Sequence, residues 1–161
     1  MPTISDNALE TFLVDNQDRF YRLAYSYLKH PEDAMDAVQT AVCRAIERQE
    51  CLRDPAFFRS WFYRILVNVC LDALRRRKKI IPLSEVPDEG REDPPPRDEH
   101  LFRQIDGLPQ EMSTVIKLRF FEDLSLKEIS VVTGCNINTV KSRLYSGLKK
   151  LKISLEGADI V

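Results

Sequence analysis

Asn138, Lys141, Ser142, Tyr145 and Lys149 fall on one face of a helical pattern whose other face is Ile137, Val140, Leu144, Leu148 and Leu151. Amides, hydroxyls, ammonium groups and a phenol ring can bond to base edges and neutralise phosphates, while an apolar back fixes the helix on its own domain. Between Leu124 and Lys152 the one acid is Glu128. The chemistry on offer is recognition of duplex DNA in the major groove. A solvated amphipathic helix in a bundle is the plainer alternative. The acid-free exposed face and the short glycine-containing turn just before it favour DNA.

A second group that could do chemistry is Arg75-Arg76-Arg77-Lys78-Lys79, which closes a long apolar pattern. Cations complement the dipole at a helix C-terminus, but five in succession exceed that need, and phosphate binding explains the excess better. A third is the exposed side of the pattern that begins at Pro31, with Asp36, Gln39, Thr40, Arg44 and Glu47. By periodicity alone these are solvated polar residues.

The elements that must hold these groups follow from local signals. Ser125 and Glu128 have the spacing of a capping box, and Leu126, Ile129, Val132 and Thr133 continue as a helix. Gly134 then permits a sharp stop, and Asn136 or Asn138 can cap the next helix. The result is a helix-turn-helix. Upstream, a first helix is predicted from about Asn7 to Lys29, with Leu9, Phe12, Leu13, Phe20, Leu23, Ala24, Tyr27 and Leu28 inward. Pro31 opens a second helix, to about Gln49, that buries Ala34, Val38, Ala41, Val42, Ala45 and Ile46. After a loop ending at Pro55, a third helix runs from Ala56 to about Arg77. Its apolar stripe is Phe57, Phe58, Trp61, Phe62, Ile65, Leu66, Val69 and Ala73. Leu101, Ile105 and Leu108 resume a helical pattern. Pro109 opens another helix, carrying Met112, Val115, Ile116, Leu118, Arg119 and Phe120.

Charge divides the chain. Residues 1–79 hold 13 basic and 11 acidic side chains, residues 80–100 hold 2 and 7, and residues 101–161 hold 9 and 7. The net charge of −1 therefore hides two mildly basic segments flanking an acidic connector. With five prolines and no amphipathic pattern, residues 80–100 read as a linker. The fold expected is all-α, in two small helical domains, 1–79 and 101–161, joined by that acidic, proline-rich segment.

Cys43, Cys51, Cys70 and Cys135 are scattered, and His30 and His100 complete no metal-ligand spacing, so neither metal nor cofactor is expected. No paired carboxylates, Cys–His motif or phosphate-cradling glycine loop points to an enzyme. No run of about 20 apolar residues and no basic-then-apolar leader is present, so the chain is expected in the cytoplasm.

Three ordered blocks carry a resemblance. PEDAMDAVQTAV begins at Pro31, FFRSWFYRILVNVCLDALRRRKK at Phe57, and LPQEMSTVIKLRFFEDLSLKEISVVTGCNINTVKSRLYSGLKKLK at Leu108. Together they resemble the extracytoplasmic-function (group 4) sigma factors of the bacterial sigma-seventy family, over nearly the whole chain except the linker and tails. The resemblance implies an alternative sigma factor that binds core RNA polymerase, through the β′ coiled coil and β flap, and directs promoter-specific initiation. It also implies control by an anti-sigma factor, one that is membrane-anchored and holds the chain at the membrane's inner face.

Family roles carry over residue by residue. Asp33, Asp36, Gln39, Thr40 and Arg44 correspond to the polymerase-binding helix. The loop of Leu52, Arg53, Asp54 and Ala56 corresponds to the one that receives a flipped-out −10 base, with Asn68 near the non-template strand and Arg75, Arg76 and Arg77 on the backbone. Trp61 reads as core rather than as a stacking platform, from its place in the apolar stripe. Lys141, Ser142 and Tyr145 match family positions that face the −35 element, with Thr139 and Arg143 flanking; Asn138 and Lys149 join them from their place on the same helical face. The chain departs from the family at Ser146 and Leu148, where many members are basic, and so loses a guanine-reading arginine. The acidic linker matches a connector that threads toward the polymerase active site, where its charge mimics nucleic acid; an inert tether fits the same composition. The alternative function is a stand-alone helix-turn-helix regulator that binds duplex DNA without polymerase.

Overall fold

The computed structural model describes residues 6–52, 54–80 and 99–159, with side chains at 8–52, 54, 56–78 and 100–152. All described elements are helical, and the chain divides into two compact units, Met1–Glu92 and Asp93–Val161.

The first unit packs α1 (Asp6–Asp15), α2 (Gln17–Leu28), α3 (Pro31–Glu47) and α4 (Phe58–Ile80) around one core. The single N-terminal helix expected from periodicity is broken at Asn16. Its side-chain Nδ2 donates to the Phe12 carbonyl at 2.8 Å, and its backbone leaves helical geometry. Asparagine offers the chain a local alternative to the helical ladder, and here it takes it. The break lets Phe12 fold back beside Phe20, with Phe20 4.6 Å from Phe62 and Phe12 4.9 Å from Phe58 between ring centroids. Edge-on and tilted contacts suit aromatic quadrupoles.

Lys29 ends α2 in the left-handed region, and its amide donates to the Tyr25 carbonyl. His30 is extended, and Pro31 starts α3 where a missing N–H costs nothing. Two expectations about faces need correction. Ile46 is 51% exposed, not buried, and Val42 is half-buried. On α4 the buried ridges are Phe62, Leu66 and Val69 together with Tyr63, Val67 and Cys70, while Phe57 is exposed and Trp61 and Ile65 are half-buried. The reason is tertiary. α4 contacts both α2 and α3, so its buried arc turns toward position 63 and away from 61 and 65.

The second unit holds α5 (Glu99–Asp106), α6 (Gln110–Ile116), a π-helical turn (Lys117–Phe121), α7 (Leu126–Thr133) and α8 (Ile137–Asp159). Ile105, Val115, Ile116, Leu118, Leu124, Ile129, Val132, Val140, Leu144 and Leu151 form its core. The π turn rotates the chain, so Phe120 is exposed while Phe121 stacks on Phe102. It also carries Lys117 inward, almost fully buried, to an ion pair 3.4 Å from Asp106. α8 crosses α6 at Gly147, where a Cβ would lie 2.9 Å from Ile116 Cδ1 and 3.3 Å from Met112 Cβ. A glycine in mid-helix weakens it, so close approach is the compensating reason for one here.

The expected linker, 80–100, lies mostly outside the described residues. At its edges Ile80 belongs to α4, and Glu99 and His100 belong to α5. Among the described residues no helix is long and apolar enough to cross a membrane.

Candidate nucleic-acid interface

In the second unit, the turn between α7 and α8 is built by reciprocal local bonds. The Ser125 hydroxyl accepts from the Glu128 amide at 3.0 Å, and the Glu128 carboxylate accepts from the Ser125 amide at 2.9 Å. Gly134 closes α7 at φ 74°, a conformation open to glycine without strain. Asn136, not Asn138, caps α8: its Oδ1 accepts from the Thr139 amide at 2.9 Å. The Ser130 hydroxyl donates to the Cys135 carbonyl, and Arg143 Nη1 reaches Cys135 Sγ at 3.3 Å. The turn is thus stapled from both helices, which fixes the angle at which α8 leaves it.

From that frame Asn138, Lys141, Ser142, Tyr145 and Lys149 all project into solvent, Tyr145 at 63% exposure. Thr139 and Arg143 are half-buried at the flank, and Arg143 is drawn back over the turn. Val140, Leu144 and Leu151 supply the buried back. Ile137, which periodicity assigns to that back, is instead 39% exposed.

The first unit presents a different surface. An open groove of about 780 Å³ is lined by Arg44, Arg48 and Cys51 from the end of α3 and its following turn, and by Trp61, Arg64, Ile65, Asn68 and Asp72 from α4. Three guanidinium groups, an indole and a carboxamide therefore converge on one concavity. Trp61 is not core, as its apolar neighbours suggest, but a half-buried wall of this groove. Arg44, on the polar face of α3, lines the same groove as Asn68. Cationic walls with an aromatic face are what a single-stranded, unstacked nucleotide requires.

The loop before α4 is anchored rather than open at its start. The Leu52 side chain is buried, so it holds the loop to the core and leaves only its backbone for a ligand. Arg53 lies outside the described residues. Asp54 Oδ1 accepts from the Ala56 amide at 3.0 Å and the Asp54 carbonyl accepts from the Phe57 amide, an Asx turn that starts the helix. Asp54 and Ala56 are exposed.

The basic run at the end of α4 is not uniform. Arg75 is paired with Asp72 three residues back. Arg77 reaches across the unit: Nη2 lies 2.6 Å from Asp33 Oδ2, and Nη1 donates to the Leu28 carbonyl at 2.9 Å. It therefore clamps the α2–α3 corner to α4. Arg76 and Lys78 are exposed, with no ion pair among the described residues. On α3, Asp36, Gln39 and Thr40 are exposed beside Met35, while Asp33 is partly covered by Arg77. Among the described residues no cluster of His, Cys, Asp and Glu could hold a metal, and Cys43, Cys51, Cys70 and Cys135 form no disulfide.

Comparison with known proteins supplies the class. Residues 12–80 match Sigma-70 region 2, and residues 99–151 match Sigma-70, region 4. RNA polymerase sigma factor SigV of Bacillus subtilis (strain 168) is 44% identical over 156 residues, spanning 94% of this chain and 93% of that protein. ECF RNA polymerase sigma factor SigE of Mycolicibacterium smegmatis is 33% identical over 146 residues, spanning 84% of this chain and 56% of that protein. The fold is shared with the sigma factor RpoE solved in complex with the anti-sigma factor NepR from Bartonella quintana. That match has TM-score 0.74 and 21% identity, and covers 95% of this chain and 98% of the other. The chain belongs to the sigma-70 family, in its extracytoplasmic-function group.

Proposed function

We propose that this chain is an alternative sigma factor that joins core RNA polymerase and directs initiation at a restricted set of promoters. Two unlike surfaces on two units carry the reading. A convex polar face on α8 suits the major groove of intact duplex, and a concave arginine- and tryptophan-lined groove on α3 and α4 suits an unstacked base. In this scheme α8 docks on the −35 element through Asn138, Lys141, Ser142 and Tyr145, with Thr139, Arg143 and Lys149 toward phosphates. The groove, with Asn68 and the loop from Leu52 to Ala56, receives a −10 base once the duplex opens. Arg76 supplies charge to the backbone there, with Arg75 and Arg77 beside it. Each well-placed base contact contributes about 1–3 kcal/mol of discrimination.

Polymerase is engaged through the exposed face of α3, with Asp36, Gln39 and Thr40, and Asp33 and Arg44 at its margins, on the β′ coiled coil; the second unit meets the β flap. Exposed Met35 and Ile46 on the same helix give that face apolar area to bury. The acidic segment at 80–100 connects the two units, and its negative charge suits a positively charged channel. An anti-sigma factor that covers these surfaces, anchored in the membrane, would hold the chain inactive in the cytoplasm. The chain has no catalytic activity of its own, and no cofactor or small-molecule substrate enters the scheme.

The test is run-off transcription with core polymerase and a library of randomised promoters. Expected are transcripts that require both the chain and a discrete −35/−10 pair. Transcripts no more specific than core enzyme gives alone would overturn the proposal.

A further inference from the structure

Ile137 is the first residue of α8 and stands 39% exposed, although Val140, less than one turn on, is fully buried. The apolar back of the helix therefore closes at Val140 and does not need Ile137. Nor does the cap, which Asn136 makes. Ile137, Lys141 and Tyr145 are spaced four apart, so they stand in line along α8, and all three are exposed. A lone exposed isoleucine is ordinary surface. This one heads a line whose far end is Tyr145, and these two are among only seven large hydrophobic side chains exposed in the described residues.

The N-terminal residues of the second helix of a helix-turn-helix meet the base edges. The apolar feature a base pair shows in the major groove is the 5-methyl of thymine. We infer that Ile137 is a specificity-determining residue that packs on a thymine 5-methyl in the duplex that α8 reads. Lys141 and Tyr145 follow it along the groove, one turn and two turns on. Loss of the family's arginine at Ser146 leaves less polar readout further along the helix, so an apolar contact at its start carries more of the choice of sequence. This inference rests on the initiation-factor reading and adds a chemical identity to one base of its −35 element.

Promoters are first selected with polymerase carrying the full-length chain. Each thymine of the selected −35 element is then replaced in turn by deoxyuridine, which removes only the methyl. Expected is about a fourfold loss of promoter affinity at one thymine, the worth of burying one methyl group. Ile137→Ala is expected to lose a similar factor on the thymine probe and nothing further on the uracil probe. Ile137→Val, which keeps a branched side chain at the helix start, should retain part of the methyl effect and guards against misfolding of the alanine variant. A selected −35 element without thymine, or losses from Ile137→Ala and methyl removal that multiply at every position, overturns the inference while initiation stands. Failure to select any promoter with polymerase overturns the initiation-factor reading, and this inference with it.

Discussion

The two surfaces proposed to meet nucleic acid are built on opposite plans. α8 offers a convex face whose polar groups stand free in water, each placed by a helix that is itself fixed by a capped turn. The groove on α3 and α4 is concave, walled by Trp61 and by the guanidinium groups of Arg44, Arg48 and Arg64, and its lining carboxylate, Asp72, is paired with Arg75. In the proposed scheme the difference matches the state of the ligand each surface would meet. Duplex DNA presents its edges to a rigid rod, and a rod needs only orientation. An extruded base has lost stacking and pairing, so its pocket must replace both with a preformed wall.

The largest expected effect breaks the rod's support without touching its face. Gly147→Val places a branched side chain against Ile116 and Met112 and should destabilise the second unit by about 3 kcal/mol. Thermal unfolding should show that transition falling while the first unit's stays put. Trp61→Ala removes the aromatic wall of the groove. Loss of one stacked base costs about 1–3 kcal/mol, so open-complex lifetime should shorten by roughly fivefold to a hundredfold, with affinity for −35 duplex unchanged. Equal losses on both would mean that Trp61 acts through the fold.

Lys141→Ala should instead change the preferred −35 sequence and leave open-complex lifetime on a matched promoter within a few fold. The run at the end of α4 gives a finer contrast. Arg76→Ala should lower the slope of log affinity against log salt by about 1, as one phosphate contact is lost. Arg77→Ala should leave that slope alone and cost about 1 kcal/mol of stability in the first unit, since its pair with Asp33 is partly exposed while its bond to the Leu28 carbonyl is charge-assisted. A salt slope that falls for both variants would make the run a uniform phosphate contact.

The helix-turn-helix was legible in sequence because its determinants are local. The box at Ser125 and Glu128, the glycine at 134 and the cap at 136 each bond to a group no more than four residues away, so local hydrogen bonding decides them. The groove was not legible, because it arises from rotation of α4 against two helices at once. Periodicity on a single strand of sequence merges Trp61 with Phe62, yet one lines a cavity and the other is fully buried. Arg77 looks like its neighbours in a basic run, and its partner lies 44 residues away. Asn16 was a local signal open to reading: its side chain competes with the helix it interrupts. Gly147 reads as a weak point in α8, and only the crossing with α6 reveals close approach.

In the proposed scheme the two units of one chain hold a promoter together only within polymerase. Affinity for a single selected promoter tests it most directly, compared between the free chain and the chain assembled with core enzyme, on intact duplex and on a probe already unpaired at −10. Expected is weak binding by the free chain to both. Assembly should bring tight binding, tighter still on the unpaired probe because no energy is spent on melting. Tight, sequence-specific binding of intact duplex by the free chain, with no gain from core enzyme or from unpairing, would contradict the claim and make the chain a stand-alone regulator of duplex DNA.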